Sequence, residues 1–189
     1  MAENNNGGRT QSIKLQGGEK IKEQVKNPEL IQAINEMRAN FNSDNQNKVI
    51  NLVLRSTFLI PAKIEKTQEL VADQSNHVEF QDKNTAKFLL VNHKERGAFF
   101  PVFTDITELE KMKSEEPSMP FAMKFADLAG LTENTPDVVG FVINPFHENL
   151  PFTKEMLQSI KQTLIEYRKK KEAEQAGAPG ITLNEKKDQ

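Results

Sequence analysis

Apolar positions recur with two different periods along this chain, and the switches between them predict helices and strands interleaved through most of its length. After Asn27, a good N-cap, and Pro28, suited to the first helical position, Leu30, Ile31, Ile34, Met37 and Phe41 fall on one helical face. Ser43-Asp44-Asn45-Gln46 has capping-box spacing and leads into Val49, Ile50, Leu52 and Val53, which predicts a second helix. The β-branched and aromatic run Thr57 to Ile64 then reads as a strand, with Pro61, which lacks a ladder donor, placing it at an edge or a bulge. Residues 65 to 85 are polar and aperiodic, the pattern of a surface loop with at most a short strand around Val78 to Phe80.

Two strand-like runs follow, Lys87 to Asn92 and Ala98 to Phe103. The polar segment His93 to Gly97 between them, with a glycine free to take positive φ, predicts a hairpin. Asp105-Ile106-Thr107-Glu108 again has capping-box spacing and opens a short helix that Pro117 and Pro120 close. Phe121 to Phe125 alternates as a half-buried strand, and Asp127 is placed to cap a helical turn through Leu131. Val138 to Ile143 is nearly continuous in apolar residues. It predicts a strand inside the sheet, flanked by the preceding hairpin or by the Phe121 strand. Asn144-Pro145 ends it in a turn, Leu150 to Phe152 bridge onward, and Thr153 caps a last helix whose face of Met156, Leu157, Ile160, Leu164 and Tyr167 is expected to complete the core.

This order predicts a single α+β or α/β domain over residues 27–171, with helices packed on a mainly antiparallel or mixed sheet. Residues 1–26 hold few apolar side chains and predict a flexible arm; 172–189, with Gly177, Pro179 and Gly180, predict a disordered tail. At 189 residues the chain can bury roughly 70% of its unfolded surface without cross-links.

Composition removes several classes of chemistry. With no cysteine, thiol catalysis, thiolate zinc sites and disulfides are excluded. The start is neither basic nor apolar, and no apolar run approaches the length of a membrane span, so the expectation is a cytoplasmic protein with no membrane span. A net charge of −2 argues against nucleic acid as a partner, and the 12 phenylalanines, set mostly in strand-like runs, read as core rather than a stacking platform for bases.

His77, His93 and His147 lie in separate loop-like segments and none has a metal-ligand spacing, so no metal and no cofactor are expected. There is no phosphate loop and no GxSxG; Gly7-Gly8 and Gly17-Gly18 are linker glycines, and Ser56, Ser114 and Ser118 have no histidine near them. Asn144, His147 and Glu148 form the best polar cluster. They follow a buried strand, where α/β folds often place ligands, and are candidate ligand-binding residues. Arg168, Lys169, Lys170 and Lys171 are candidate anion-binding residues, although cations in the last turn of a helix also complement its dipole. No catalytic residue is assigned.

At Phe100-Pro101-Val102-Phe103-Thr104-Asp105, Phe125-Ala126-Asp127-Leu128 and Gly140-Phe141-Val142-Ile143-Asn144-Pro145-Phe146, together with the bridge containing Leu150, the chain resembles the N-terminal domain of the SseB (enhanced serine sensitivity) family. The match runs from about Pro28 to Leu164. It implies a compact α/β domain with an N-terminal helix pair leading into the first strand, and it brings no catalytic residues. The resulting expectation is a non-enzymatic interaction or accessory domain with an unidentified protein partner. The alternative is a small-molecule-binding or hydrolytic domain using the Asn144–Asn149 loop.

Overall fold

The computed structural model describes residues 16–17, 24–72, 78–113 and 117–176, with side chains left out at 16–17, 66–84 and 175–176. The elements, in chain order, are β1 (Gln16–Gly17), α1 (Pro28–Ala39), α2 (Ser43–Arg55), β2 (Thr57–Ala72), β3 (Val78–Phe88), β4 (Val91–His93), β5 (Gly97–Val102), α3 (Ile106–Glu110), β6 (Met119–Lys124), α4 (Phe125–Asn134), β7 (Val138–Ile143), β8 (Leu150–Thr153) and α5 (Lys154–Ala176). They fall into two compact units, one ending at Thr153 and the other beginning at Lys154. The fold is α+β, with one antiparallel and one mixed sheet.

The first sheet has the order β1-β6-β2-β3 and is antiparallel throughout. Pro61 therefore lies in an inner strand, not at an edge. Its missing donor is tolerated because it faces Pro120 of β6, while its carbonyl accepts from Leu89 N at 3.0 Å, just beyond the end of β3. The polar stretch expected as a loop instead forms most of a long hairpin, in register from Ala62↔Phe88 to Ala72↔Val78. The backbone ladder can form without side-chain alternation, and Lys87 Nζ pairs with Glu65 Oε2 across the two strands at 2.7 Å.

The second sheet, β4-β5-β7-β8, places β7 inside, as its apolar run predicts. β5 and β7 run parallel, with Val139 passed over where the register shifts between Ala98↔Val138 and Phe99↔Gly140. The predicted hairpin is present as β4–β5, with Gly97 at φ +98°. Phe88, however, belongs to β3, and the Leu150–Thr153 bridge is itself a strand paired with β7. The two sheets are joined where Leu59 and Phe103 exchange backbone hydrogen bonds of 2.9 and 2.8 Å.

Between these elements sit Phe58, Leu59, Ile60, Phe103, Phe141 and Ile143, all without solvent exposure. Phe141 stacks on Phe152 at 5.1 Å and meets Phe125 edge-on at 6.2 Å. α1 contributes Leu30, Ala33, Ile34 and Met37, whereas Phe41 lies past the helix end and is exposed. Within the expected flexible arm, Gln16–Gly17 pairs with β6 and Val25 is buried against Leu59 and Phe103. Residues 1–15 and 18–23 of that arm, like residues 177–189 of the expected tail, lie outside the described residues.

Three caps differ from expectation. Asn42, not Ser43, caps α2 by accepting from Asn45 N. Asp127 falls inside the first turn of α4, which begins at Phe125. Asn27 precedes α1 without a side-chain cap bond. Its amide donates instead to Thr57 O at 2.9 Å and Thr104 O at 2.8 Å, linking the start of β2 to the segment after β5.

The second unit is the helix α5, which runs through Ala176, past the expected start of a tail at 172. Met156, Leu164 and Tyr167 are exposed while Leu157 is buried, so only part of the face expected to complete the core is covered. No helix among the described residues is long and apolar enough to cross a membrane.

Candidate functional site

Everything distinctive about the site depends on how the chain leaves β7. Asn144 and Asn149 both adopt φ 45°, in the left-handed region that asparagine tolerates better than most residues. Between them the turn closes on one carbonyl: Asn144 O accepts from His147 N at 3.0 Å and from Asn149 N at 2.8 Å. Asn144 is wholly buried and its polar groups are all used. Its backbone N–H donates to Val102 O at 2.8 Å, its Oδ1 accepts from Thr104 N at 3.0 Å, and its Nδ2 donates to Thr104 Oγ1 at 2.8 Å and Glu148 Oε2 at 2.6 Å. Asn144 fastens the turn to the end of β5, and no polar atom of it faces a ligand.

The same network draws in a residue that sequence spacing did not connect to the turn. Asp105 caps α3 by accepting from Glu108 N at 3.0 Å, which orients Glu108 toward His147. His147 Nδ1 stands 3.2 Å from Glu108 Oε1 and 3.0 Å from Glu148 Oε1. Glu148 is 1% exposed and Glu108 7%, while the His147 side chain is 60% exposed. Lys111 Nζ lies 2.6 Å from Glu108 Oε1, and the second oxygen, Oε2, is buried with no hydrogen-bond partner. An imidazole thus sits between two buried carboxylates, with its outer edge toward solvent. Glu108 and His147 are 39 residues apart in the chain, and only the Asp105 cap signalled where Glu108 would be placed.

The opposite side of the turn borders a cavity of about 420 Å³. Its apolar wall includes Val91, Phe99, Val142, Phe146 and Pro151, and its polar rim consists of Asn92, His93, Arg96 and Asn149. Phe146 is 52% exposed and stacks at 6.4 Å on the buried ring of Phe103, so a hydrophobic surface is presented on a fixed support. β4, which carries part of the rim, is an edge strand. A wider hollow of about 630 Å³ adjoins Gln24 to Leu30.

Of the predicted site residues, His147 and Glu148 meet Glu108, Asn144 holds the turn, and none lines the cavity, which takes Pro145, Phe146 and Asn149 from the same turn. Arg168 to Lys171 are exposed on α5, in the middle of the helix and not in its last turn, so the dipole argument for them does not apply. His77 lies outside the described residues. His93 is in the cavity rim, where its Nδ1 accepts from Glu95 N at 3.2 Å.

The family model described as the SseB protein N-terminal domain matches residues 30–159. No curated protein and no solved structure gives a significant match.

Proposed function

We propose that this chain, which belongs to the SseB N-terminal domain family, is a non-enzymatic binding module that recognises a protein partner through the cavity between β4 and the Asn144–Asn149 turn. The observation that carries this reading is the cavity itself: about 420 Å³, walled by Val91, Phe99, Val142 and Phe146 and rimmed by Arg96, His93 and two asparagines. Apolar floors with a few convergent polar groups are the usual form of a recognition pocket. An apolar side chain of the partner fits against Phe146 and Phe99, and an adjacent acidic residue pairs with Arg96 at the rim, where partly desolvated Arg–carboxylate contacts are strong. The exposed backbone of edge strand β4 adds room for an extended peptide segment.

A hydrolytic reading has one observation in its favour, the Glu148–His147 contact at 3.0 Å with the ring's other edge exposed, as in an acid–base dyad. Among the described residues, no hydroxyl is hydrogen-bonded to His147. The hydroxyl nearest in the network, that of Thr104, is buried and donates to Asp105 Oδ2 at 3.1 Å.

Affinity capture from native lysate with wild-type protein, Arg96→Glu and Phe146→Ala separates these readings. The binding module predicts a stoichiometric protein recovered with the wild type and lost with both variants, while circular dichroism shows them folded. Recovery unchanged in both variants would overturn it, as would esterase, phosphatase, peptidase or nucleotidase turnover that vanishes in His147→Ala.

A further inference from the structure

We propose that Glu108, His147 and Glu148 form a binding site for a divalent transition-metal ion of the zinc class, held by the Glu108 carboxylate, His147 Nδ1 and Glu148 Oε1. The three side chains offer ligand atoms that all lie within 4.8 Å of one another. Two carboxylates at least nine-tenths buried share one ammonium, Lys111 Nζ, so negative charge exceeds the fixed positive charge in a poorly solvated place, which favours a divalent cation.

Geometry narrows the class. Zinc bonds to nitrogen and carboxylate oxygen are about 2.0–2.2 Å long, so neighbouring ligand atoms around a tetrahedral ion stand about 3.3–3.6 Å apart. Nδ1 lies 3.0 Å from Glu148 Oε1 and 3.2 Å from Glu108 Oε1, so small side-chain shifts admit the ion. An imidazole in the set favours zinc and its neighbours over magnesium or calcium, which take oxygen ligands.

The independent sign of a missing ligand is Glu108 Oε2. It is buried and unpartnered, whereas its sister oxygen is taken by Lys111 Nζ at 2.6 Å. Buried carboxylate oxygens are rarely left unpaired, and this one belongs to the carboxyl that faces His147. Coordination through Oε2 satisfies it and leaves the Lys111 contact in place. Outer support is also built in: Glu148 is oriented by Asn144 Nδ2 at 2.6 Å, and Glu108 is set by the Asp105 cap. Three protein ligands leave the remaining positions to water on the exposed side of His147. A bound ion would lock the turn to α3. The site stands apart from the cavity, so it does not depend on the protein-binding reading.

The test uses full-length, untagged protein stripped with a chelator and titrated with ZnCl₂ by isothermal calorimetry. One saturable equivalent per chain is expected. His147→Ala and Glu108→Gln should each weaken it by more than the roughly 10–100-fold that loss of an outer partner costs, and His93→Ala should leave it unchanged. Lys111→Met should tighten binding several-fold, because a positive charge next to a ligand oxygen is removed. His147 is largely exposed, so its replacement leaves the fold intact, and the wild-type titration and Lys111→Met decide the matter even if Glu108→Gln unfolds. Absence of saturable uptake, uptake that survives His147→Ala, or a Lys111→Met variant that binds no tighter would overturn the assignment.

Discussion

A methyl group at position 140 has nowhere to go: an ideal Cβ there falls 2.1 Å from Phe152 O and 2.9 Å from Thr153 Cα, both backbone atoms of the neighbouring strand. Gly140 pairs with Thr153 across that strand, so close approach of two backbones, rather than a turn, requires the glycine. Gly140→Ala should destabilise the protein by about 1–3 kcal/mol or more, since β7 or β8 must move to admit it. Urea denaturation measures this, and a change within about 0.5 kcal/mol, typical of a surface substitution, would contradict the pairing. At this scale the sequence was partly legible. The apolar run Val138–Ile143 marks an inner strand, but the need for glycine at 140 arises from Leu150–Thr153, which is short enough to pass for a connector. The burial of Asn144 was equally hidden, because its partners Val102 and Thr104 lie at the end of β5 and just after it, about 40 positions earlier in the chain.

Among the elements, α3 depends most on its ends. Its five residues, Ile106–Glu110, are far too few for a helix to persist without tertiary support and a cap. Asp105 supplies the cap, and Glu108, the residue it bonds, reaches His147 and Lys111 instead of folding back on the cap as a capping box would. Asp105→Ala should therefore cost about 0.5–2 kcal/mol in chemical denaturation. A loss of stability with no change in the His147 ring signals by NMR would show that the cap does not position Glu108. The capping-box spacing made α3 legible, and the Gly97 turn did the same for β4–β5. The β2–β3 hairpin was legible only around Val78–Phe80, which open β3. Its outer residues show neither alternation nor turn chemistry that stands out from a polar loop, so pairing is dictated by continuity with the buried Phe58–Ala62 segment and not by local preference. In α2 the cap moved one residue, from Ser43 to Asn42, a difference that spacing between equally good capping residues does not resolve.

In the unit ending at Thr153, the Leu59–Phe103 bridge joins the two sheets, and Asn144 fastens the turn after β7 to Thr104, the residue next to that bridge. One short turn thus presents His147 and Glu148 to the carboxylate cluster and Phe146 and Asn149 to the cavity, on a support anchored in the core. Amide hydrogen exchange of the protein alone and with its captured partner checks recognition through that cavity. New protection is expected at residues 91–97 and 145–151, the two segments that carry most of the cavity's wall and rim. Protection confined to α5 around Arg168–Lys171, with those two segments exchanging as in the free protein, would contradict it.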